Sequence, residues 1–234
     1  MRESSNFFKG IFDTSPLVLA AFPFGLIYGA LAISIGLSPL VTLSMSLFVF
    51  AGSSQFIAIS LLSSAASLPI ILFAVFFVNI RHLLYAINFM PKVSGISQKY
   101  RFLMAFWLTD ETFAVVSKYI EKNRKEKELM FYYFGSSIAM YFFWAMSSAI
   151  GIVFGQQVNN IKNWGLDIAM IIAFIGIVSP KLKSRPDWSC AGTALLSTIF
   201  TYHWPNQIGL ILSSLLAICV GLILKKNKKS KKDE

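Results

Sequence analysis

The sequence predicts an all-α membrane protein, a polytopic transmembrane helical bundle of about 7–8 spans, some of them broken or re-entrant. The 234 residues are 56% hydrophobic and only 14% charged, whereas soluble domains are about 45–50% apolar and about 25% charged. Apolar runs of roughly 20 residues, the length that crosses a bilayer, follow one another along the chain. Short breaks rich in Pro, Gly, Ser or charge separate them.

Eight candidate spans follow from these breaks. In chain order they are 16–35, 40–62, 68–90, 101–119, 130–154, 164–180, 188–202 and 206–224. Pro91 ends the third span, because proline cannot continue a hydrogen-bonded helix interior. The seventh span is short for a crossing, and a re-entrant segment is the alternative. Little sequence is left for a soluble part, so residues 1–234 are predicted to form one membrane-embedded domain that ends in a polybasic tail, 225–234.

The basic residues predict the orientation. Sixteen of the 21 Lys and Arg residues fall in segments on the side of the N-terminus, four fall on the other side, and Arg81 lies within a span. Since cytoplasmic loops carry an excess of Lys and Arg, both termini are predicted to be cytoplasmic. The basic loops and tail would also lie against anionic lipid. The net charge of +10 therefore indicates a membrane surface and not a nucleic acid.

Three charges in the third and fourth spans are the main candidate functional residues. Placing a charge at the bilayer centre costs at least ~2.5–3.5 kcal/mol, so such residues usually pair or line a polar path. Arg81 and Asp110 each lie ten residues from the loop that joins these spans, and therefore at one depth. We expect Arg81 to pair with Asp110 or Glu111, and the other acid to face a cavity. The alternative is an ion pair that only locks two helices together.

Other polar residues extend this candidate site. Asn79 and His82 widen the polar arc of the third span, and His82 beside carboxylates is a candidate proton carrier. Gly52, Ser53, Ser54 and Gln55 interrupt the apolar second span at its middle. Small residues there permit close helix packing, or local unwinding that presents backbone groups to a ligand. Tyr28 lies near the middle of the first span, close to a proline.

Enzyme signatures are missing from the sequence. It holds no P-loop, HExxH or GxSxG motif. We therefore predict no catalytic residue, no metal site and no cofactor. Cys190 and Cys219 have neither metal-binding spacing nor an oxidising context, and we interpret them as small core residues.

Four motifs carry a resemblance to a known family. They are Phe22–Gly29, Phe50–Phe56, Asn79–Tyr85 and Thr109–Glu111. In combination they resemble the AzlC-type (azaleucine-resistance) branched-chain amino-acid permeases, over about the first half of the chain. The resemblance implies a bacterial cytoplasmic (inner) membrane protein that exports branched-chain amino acids and acts with a small hydrophobic subunit of the AzlD type.

The chemistry of such a substrate fits the candidate residues. A zwitterion needs an anion for its ammonium, which Asp110 or Glu111 supplies, and donors for its carboxylate, which Arg81 or unwound backbone near Ser53 supplies. Since no ATPase motif is present, an ion gradient, most simply of protons, is the expected drive. A passive channel, or a structural subunit of a membrane complex, is the alternative function.

Overall fold

The computed structural model describes residues 2–122, 126–157, 175–176, 179, 182–204 and 208–230. Within these ranges every regular element is a helix, which confirms the all-α prediction. The predicted sixth span, 164–180, lies almost entirely outside the described residues, and so does the end of the predicted tail.

The described helices are, in chain order, α1 (Arg2–Ser34), α2 (Pro39–Ser44), α3 (Gly52–Ser63), α4 (Leu68–Phe89), α5 (Gln98–Phe106), α6 (Asp110–Lys122), α7 (Glu126–Gln157), α8 (Arg185–Thr201) and α9 (Ile208–Ser230). A π-helical turn, Met45–Val49, continues α2, and a 3₁₀ turn, Met90–Lys92, ends α4 at the predicted proline.

Three segments among the described residues are long and apolar enough to cross a membrane. They are Ser4–Ser34, Leu68–Lys92 and Lys127–Gln157, and they coincide with the predicted first, third and fifth spans. Large apolar side chains on α4, such as Leu72 and Phe76, are about 60% exposed. Exposure of this kind is favourable only against lipid or another protein.

The predicted second and fourth spans are each broken. In the second span the break lies at residues 50–51, and Gly52–Gln55 form the first turn of α3. The sequence left close packing and local unwinding as alternatives for this motif. In the fourth span, predicted as one segment over 101–119, the chain leaves the helix at Trp107 and restarts at Asp110. This second break was not predicted from the sequence.

Helices α1 and α7 pack in parallel through small residues. A Cβ added at Gly10 would clash with the backbone at Tyr132, one at Gly25 with Ser147, and one at Gly29 with the backbone at Ser148. Contacts that advance together along both helices show that the two run in the same direction. Small residues allow this close approach without any hydrophobic drive between helices. Parallel membrane helices need an odd number of crossings between them, and three predicted spans separate these two.

The chain divides into two compact units, residues 1–60 with 75–170, and residues 61–74 with 171–234. In the second unit, α8 and α9 form an antiparallel hairpin in which Gly209 packs on Thr201 and Gly221 on Cys190. All ten candidate site residues lie in the first unit. That the whole chain acts as one domain stays a prediction.

Candidate functional site

Arg81 of α4 connects the beginnings of two half-helices. Its Nη1 donates a hydrogen bond to Asp110 Oδ2 at 2.7 Å, and its Nη2 donates to Ser53 Oγ at 2.5 Å. Asp110 begins α6, and Ser53 is the second residue of α3. The Arg81 and Asp110 side chains remain 24% and 21% exposed. Of the two predicted ion pairs, the structure therefore contains the one with Asp110, in a position that a ligand can reach.

The first break depends on one left-handed residue. Phe50 has φ 45° and ψ 44°, a conformation that costs a residue other than glycine about 1–2 kcal/mol. Its buried ring packs edge-to-face on Tyr141, with 4.9 Å between the centroids, and this contact holds it in place. Hydrogen bonding then resumes from the Gln55 N–H to the Ala51 carbonyl at 2.9 Å. The N–H groups of residues 52–54 precede that bond and form the partly positive start of α3.

The second break is capped by its own sequence. Thr109 Oγ1 accepts a hydrogen bond from the Thr112 N–H at 3.3 Å, and its carbonyl accepts from the Phe113 N–H at 2.9 Å. Thr is a favoured N-cap residue. Asp110 and Glu111 fall in the first turn of α6, where the helix dipole favours negative charge. Both half-helices thus direct their positive ends toward Arg81, an arrangement that suits an anionic ligand group.

Polar side chains surround the ion pair. Ser54 Oγ donates to Asn79 Oδ1 at 2.6 Å. Tyr85 lies close enough to the Asp110 carboxylate to interact with it electrostatically, and it stacks on Phe113 with 4.2 Å between the ring centroids. His82 contacts the Tyr85 ring edge-on at 6.1 Å. The structure thus brings Ser53, Ser54, Asn79, His82, Arg81 and Asp110 together. Tyr85 was missing from the candidate set, although it lies four residues after Arg81 on the same helix face.

Glu111 lies beside this centre without joining the ion pair. It acts electrostatically on Tyr85, and it follows Asp110 directly in α6. Consecutive helical residues project about 100° apart, so Glu111 occupies a different face of α6 from its neighbour. That the second acid faces a cavity stays a prediction.

Two predicted site residues belong instead to a neutral network. Gln55 is fully buried; its Nε2 donates to Ser46 Oγ at 3.0 Å, and its Oε1 accepts from Trp144 Nε1 at 3.0 Å. Ser46 in turn donates to Ser148 Oγ at 2.9 Å. Buried Tyr28 donates to the Thr42 carbonyl at 3.1 Å. These polar groups are satisfied by contacts that join α1 to α2, and the π-helical turn to α3 and α7. The α7 partners were not predicted from the sequence, because no local pattern distinguishes them.

Gly52 is fixed by packing. A Cβ added there would lie 2.8 Å from Trp144 Cη2, closer than carbon atoms pack in proteins. The residues of the Gly52–Gln55 motif therefore lie on two different faces of α3. Gly52 and Gln55 pack against α7, while Ser53 and Ser54 face the charged centre.

An apolar cavity of about 360 Å³ lies along α5, next to the second break. Phe89, Met104 and Leu108 are among its lining residues. Its size is at the lower end of the range for small-molecule sites, which are mostly apolar with a few polar groups. Among the residues that the structure describes, no three His, Cys, Asp or Glu side chains are grouped to hold a metal ion.

The family described as AzlC protein matches residues 16–158. This range contains every residue of the candidate site. The chain belongs to the AzlC family. The resemblance seen in the four sequence motifs is thereby confirmed.

Relatives of this AzlC-family chain cover most of its length. The branched-chain amino acid transport protein AzlC of Bacillus subtilis is 30% identical over 97% of this chain and 88% of its own. An uncharacterized membrane protein of Helicobacter pylori is 31% identical over 96% of this chain and 97% of its own. The inner membrane protein YgaZ of Escherichia coli is 31% identical over 65% of this chain and 62% of its own. No solved structure matches the chain.

Proposed function

We propose that this protein is a secondary transporter that exports branched-chain amino acids across the bacterial cytoplasmic membrane. The observation that carries the proposal is the contact of one membrane-embedded arginine with the starts of two broken helices, in a family that includes a branched-chain amino acid transport protein. Discontinuous helices whose positive ends point at an anionic substrate group are the usual way in which secondary transporters bind.

Substrate binding in this proposal is an exchange of partners. The substrate carboxylate takes the place of Asp110 at Arg81 and also contacts the start of α3 beside Ser53. Its ammonium takes the place of Arg81 at Asp110, or binds Glu111. Each charge keeps a partner throughout, so no uncompensated charge is created in a medium of low dielectric. The aliphatic side chain enters the apolar cavity, whose wall at Leu108 lies two residues before Asp110.

Coupling to an ion gradient, most simply of protons, completes the proposal. Glu111 and His82 adjoin the ion pair, and each has a side chain that can exchange a proton. A small hydrophobic subunit of the AzlD type is the proposed partner, and anionic lipid lies against the basic loops and tail. The proposal has both termini in the cytoplasm, so reporters fused after Glu121 and after Lys225 should both report cytoplasm. A periplasmic report from either position contradicts this orientation.

The decisive experiment measures leucine flux in vesicles that contain the protein, with and without a candidate small subunit. Saturable flux that an uncoupler abolishes is expected for the parent. Asp110→Asn should abolish it, whereas Lys99→Gln, which changes an exposed cation on the same hairpin, should preserve it. Flux that does not saturate would identify a channel. Complete absence of flux in the parent, with and without the subunit, would reject transport by this chain.

A further inference from the structure

A second cavity, of about 400 Å³, lies where α1, α6 and α7 meet, and its walls carry charges of both signs. Asp13 supplies a carboxylate, and Lys9 and Lys118 supply cations. Phe12, Pro16 and Val115 provide apolar wall between them. Nothing in the site described above uses this cavity. Its chemistry is that of a receptor for a small molecule with an ammonium group, a carboxylate and an aliphatic part.

The opposite charges of this cavity are held apart. Among the described residues, no ion pair joins Asp13 to either lysine. Asp13 Oδ2 instead accepts a hydrogen bond from the Tyr132 hydroxyl at 2.7 Å, and Lys9 Nζ lies 5.4 Å from the centroid of the Tyr119 ring. The two tyrosine rings stack at 3.8 Å, so they form a rigid wall between the acid and the base. Charges separated in this way remain available to a ligand that carries both signs.

Helix α6 connects this cavity with the charged centre. Glu111, Val115, Lys118 and Tyr119 follow the spacing of one helix face. Val115, Lys118 and Tyr119 line the cavity, so Glu111 is the next residue on that face toward Arg81. Asp110 contacts Arg81, while its neighbour continues the cavity side of the helix. A solute leaving the cavity along α6 therefore meets Glu111 first.

The cavity is also placed at the level of the membrane surface. Helix α1 has 33 residues, a length of about 50 Å, whereas the hydrocarbon core is only ~30 Å thick. The predicted first span begins at Pro16, so Lys9 and Asp13 belong to the part that extends beyond the core. Water and dissolved solutes can reach them from the side of the N-terminus, which the charge distribution assigns to the cytoplasm.

We propose that this cavity is a loading site for zwitterionic aliphatic amino acids, occupied before the substrate reaches Arg81. The ammonium binds Asp13, the carboxylate binds Lys118, and the side chain packs on Phe12 and Val115. A solute that carries only a negative or only a positive charge would be repelled by the cavity residues of the same charge. The proposal rests on the proposed function, because it assigns the same substrate class to a second position. A zwitterionic lipid headgroup shares this chemistry, and the test separates the two sources.

Cysteine protection tests the site directly. The variant Phe12→Cys, in a full chain carrying Cys190→Ala and Cys219→Ala, is purified in detergent and labelled with a small water-soluble maleimide. Leucine at ten times its dissociation constant should slow labelling about tenfold, because binding leaves about one site in ten open. Phe8→Cys is the matched control: it is the same residue type on α1, is 66% exposed against 77% for Phe12, and does not line the cavity. Leucine should leave its labelling unchanged.

Second-site variants assign the protection to the charges. Adding Asp13→Asn or Lys118→Gln to Phe12→Cys should abolish protection by leucine, whereas adding Lys99→Gln should preserve it. Lys118 is exposed, so that variant remains informative if Asp13→Asn fails to fold. Protection that survives both cavity variants would overturn the assignment.

The outcomes distinguish this site from the proposed function. Failure of leucine to protect Phe12→Cys, in a protein whose parent shows saturable flux, removes the loading site and leaves transport in place. Protection by leucine without flux in the parent keeps the site and rejects transport. If phosphatidylethanolamine protects and leucine adds nothing, the cavity is a lipid site and the proposal is wrong.

Discussion

Removal of the Arg81 guanidinium is the perturbation whose cost the structure defines best. A fully buried ion pair loses about 3–5 kcal/mol when one partner is removed, and an exposed pair loses about 0.2–1 kcal/mol. With side chains 24% and 21% exposed, the Arg81–Asp110 pair lies between these limits. Arg81→Ala also removes the hydrogen bond to Ser53. We therefore expect it to lower the free energy of unfolding by about 2–3 kcal/mol.

A double-mutant cycle separates the ion pair from the other contacts. Asp110→Ala alone should cost about 2 kcal/mol, because it leaves Arg81 without its carboxylate. The double variant Arg81→Ala/Asp110→Ala should lower the free energy of unfolding by about 1–2 kcal/mol less than the sum of the two single variants, because it leaves no charge without its partner. Lys99→Ala on the same hairpin should change stability by no more than about 0.5 kcal/mol.

The assay is reversible unfolding of the purified protein in mixed detergent micelles, followed by tryptophan fluorescence. If the double variant loses as much stability as the two single variants together, within about 0.3–0.5 kcal/mol, the pair is not a stabilising contact. That result would also weaken the exchange of partners proposed for transport, because that mechanism starts from a formed pair. A double variant less stable than the sum would contradict the argument altogether.

Three further predictions concern separate features. Gly52→Ala should destabilise the protein by about 1–3 kcal/mol by overpacking against Trp144, whereas Gly192→Ala, which meets nothing within 4 Å, should be neutral or stabilising; equal melting temperatures would contradict this. Glu111→Gln should leave protein levels near normal and abolish the dependence of leucine flux on the proton gradient; flux that follows the gradient as in the parent would exclude Glu111 from coupling. Ser184 is the N-cap residue of α8, and its hydrogen bonds hold the pKa of Asp187 below its ordinary value of 3.8. The stabilisation from this cap is therefore present above that value and is lost as the pH falls through the lowered pKa. An NMR titration of the Asp187 carboxyl carbon should show a midpoint below 3.8, and a midpoint at or above it would contradict the cap.

Local sequence patterns predicted the features that a local cause determines. Three long spans followed from the length of apolar runs, because only about 20 apolar residues in a helix cross the bilayer. That Arg81 pairs with Asp110 or Glu111 followed from depth in a hairpin, because a charge in a low-dielectric medium must be matched by a nearby one. Which of the two acids it contacts did not follow from the sequence. Thr109, Asp110 and Glu111 form an N-cap followed by first-turn acids, which is a local signal for the start of a helix. The second break was nevertheless not predicted, because apolar residues flank this signal.

The neutral network was not predictable in the same way. Gln55 and Trp144 are 89 residues apart in the chain. A polar residue in an apolar helix indicates that it needs a hydrogen-bond partner. The sequence does not indicate which residue supplies that partner. The π-helical turn and the left-handed Phe50 share this origin, because they are fixed by packing on Tyr141 and not by their own sequence.

The breaks themselves are the strongest argument that the charged centre does more than join helices. A continuous helix satisfies its backbone internally and would allow Arg81 and Asp110 to pair without the strain at Phe50. A left-handed conformation at a residue other than glycine persists only where the surrounding structure imposes it, and such outliers concentrate at functional sites. Here the strained residue lies just before α3, and the start of α3 contacts the one cation that also holds the start of α6. An ion pair that served only stability would gain nothing from two interrupted helices, whereas a site that exchanges its own charges for those of a zwitterion needs the exposed helix ends that both breaks provide.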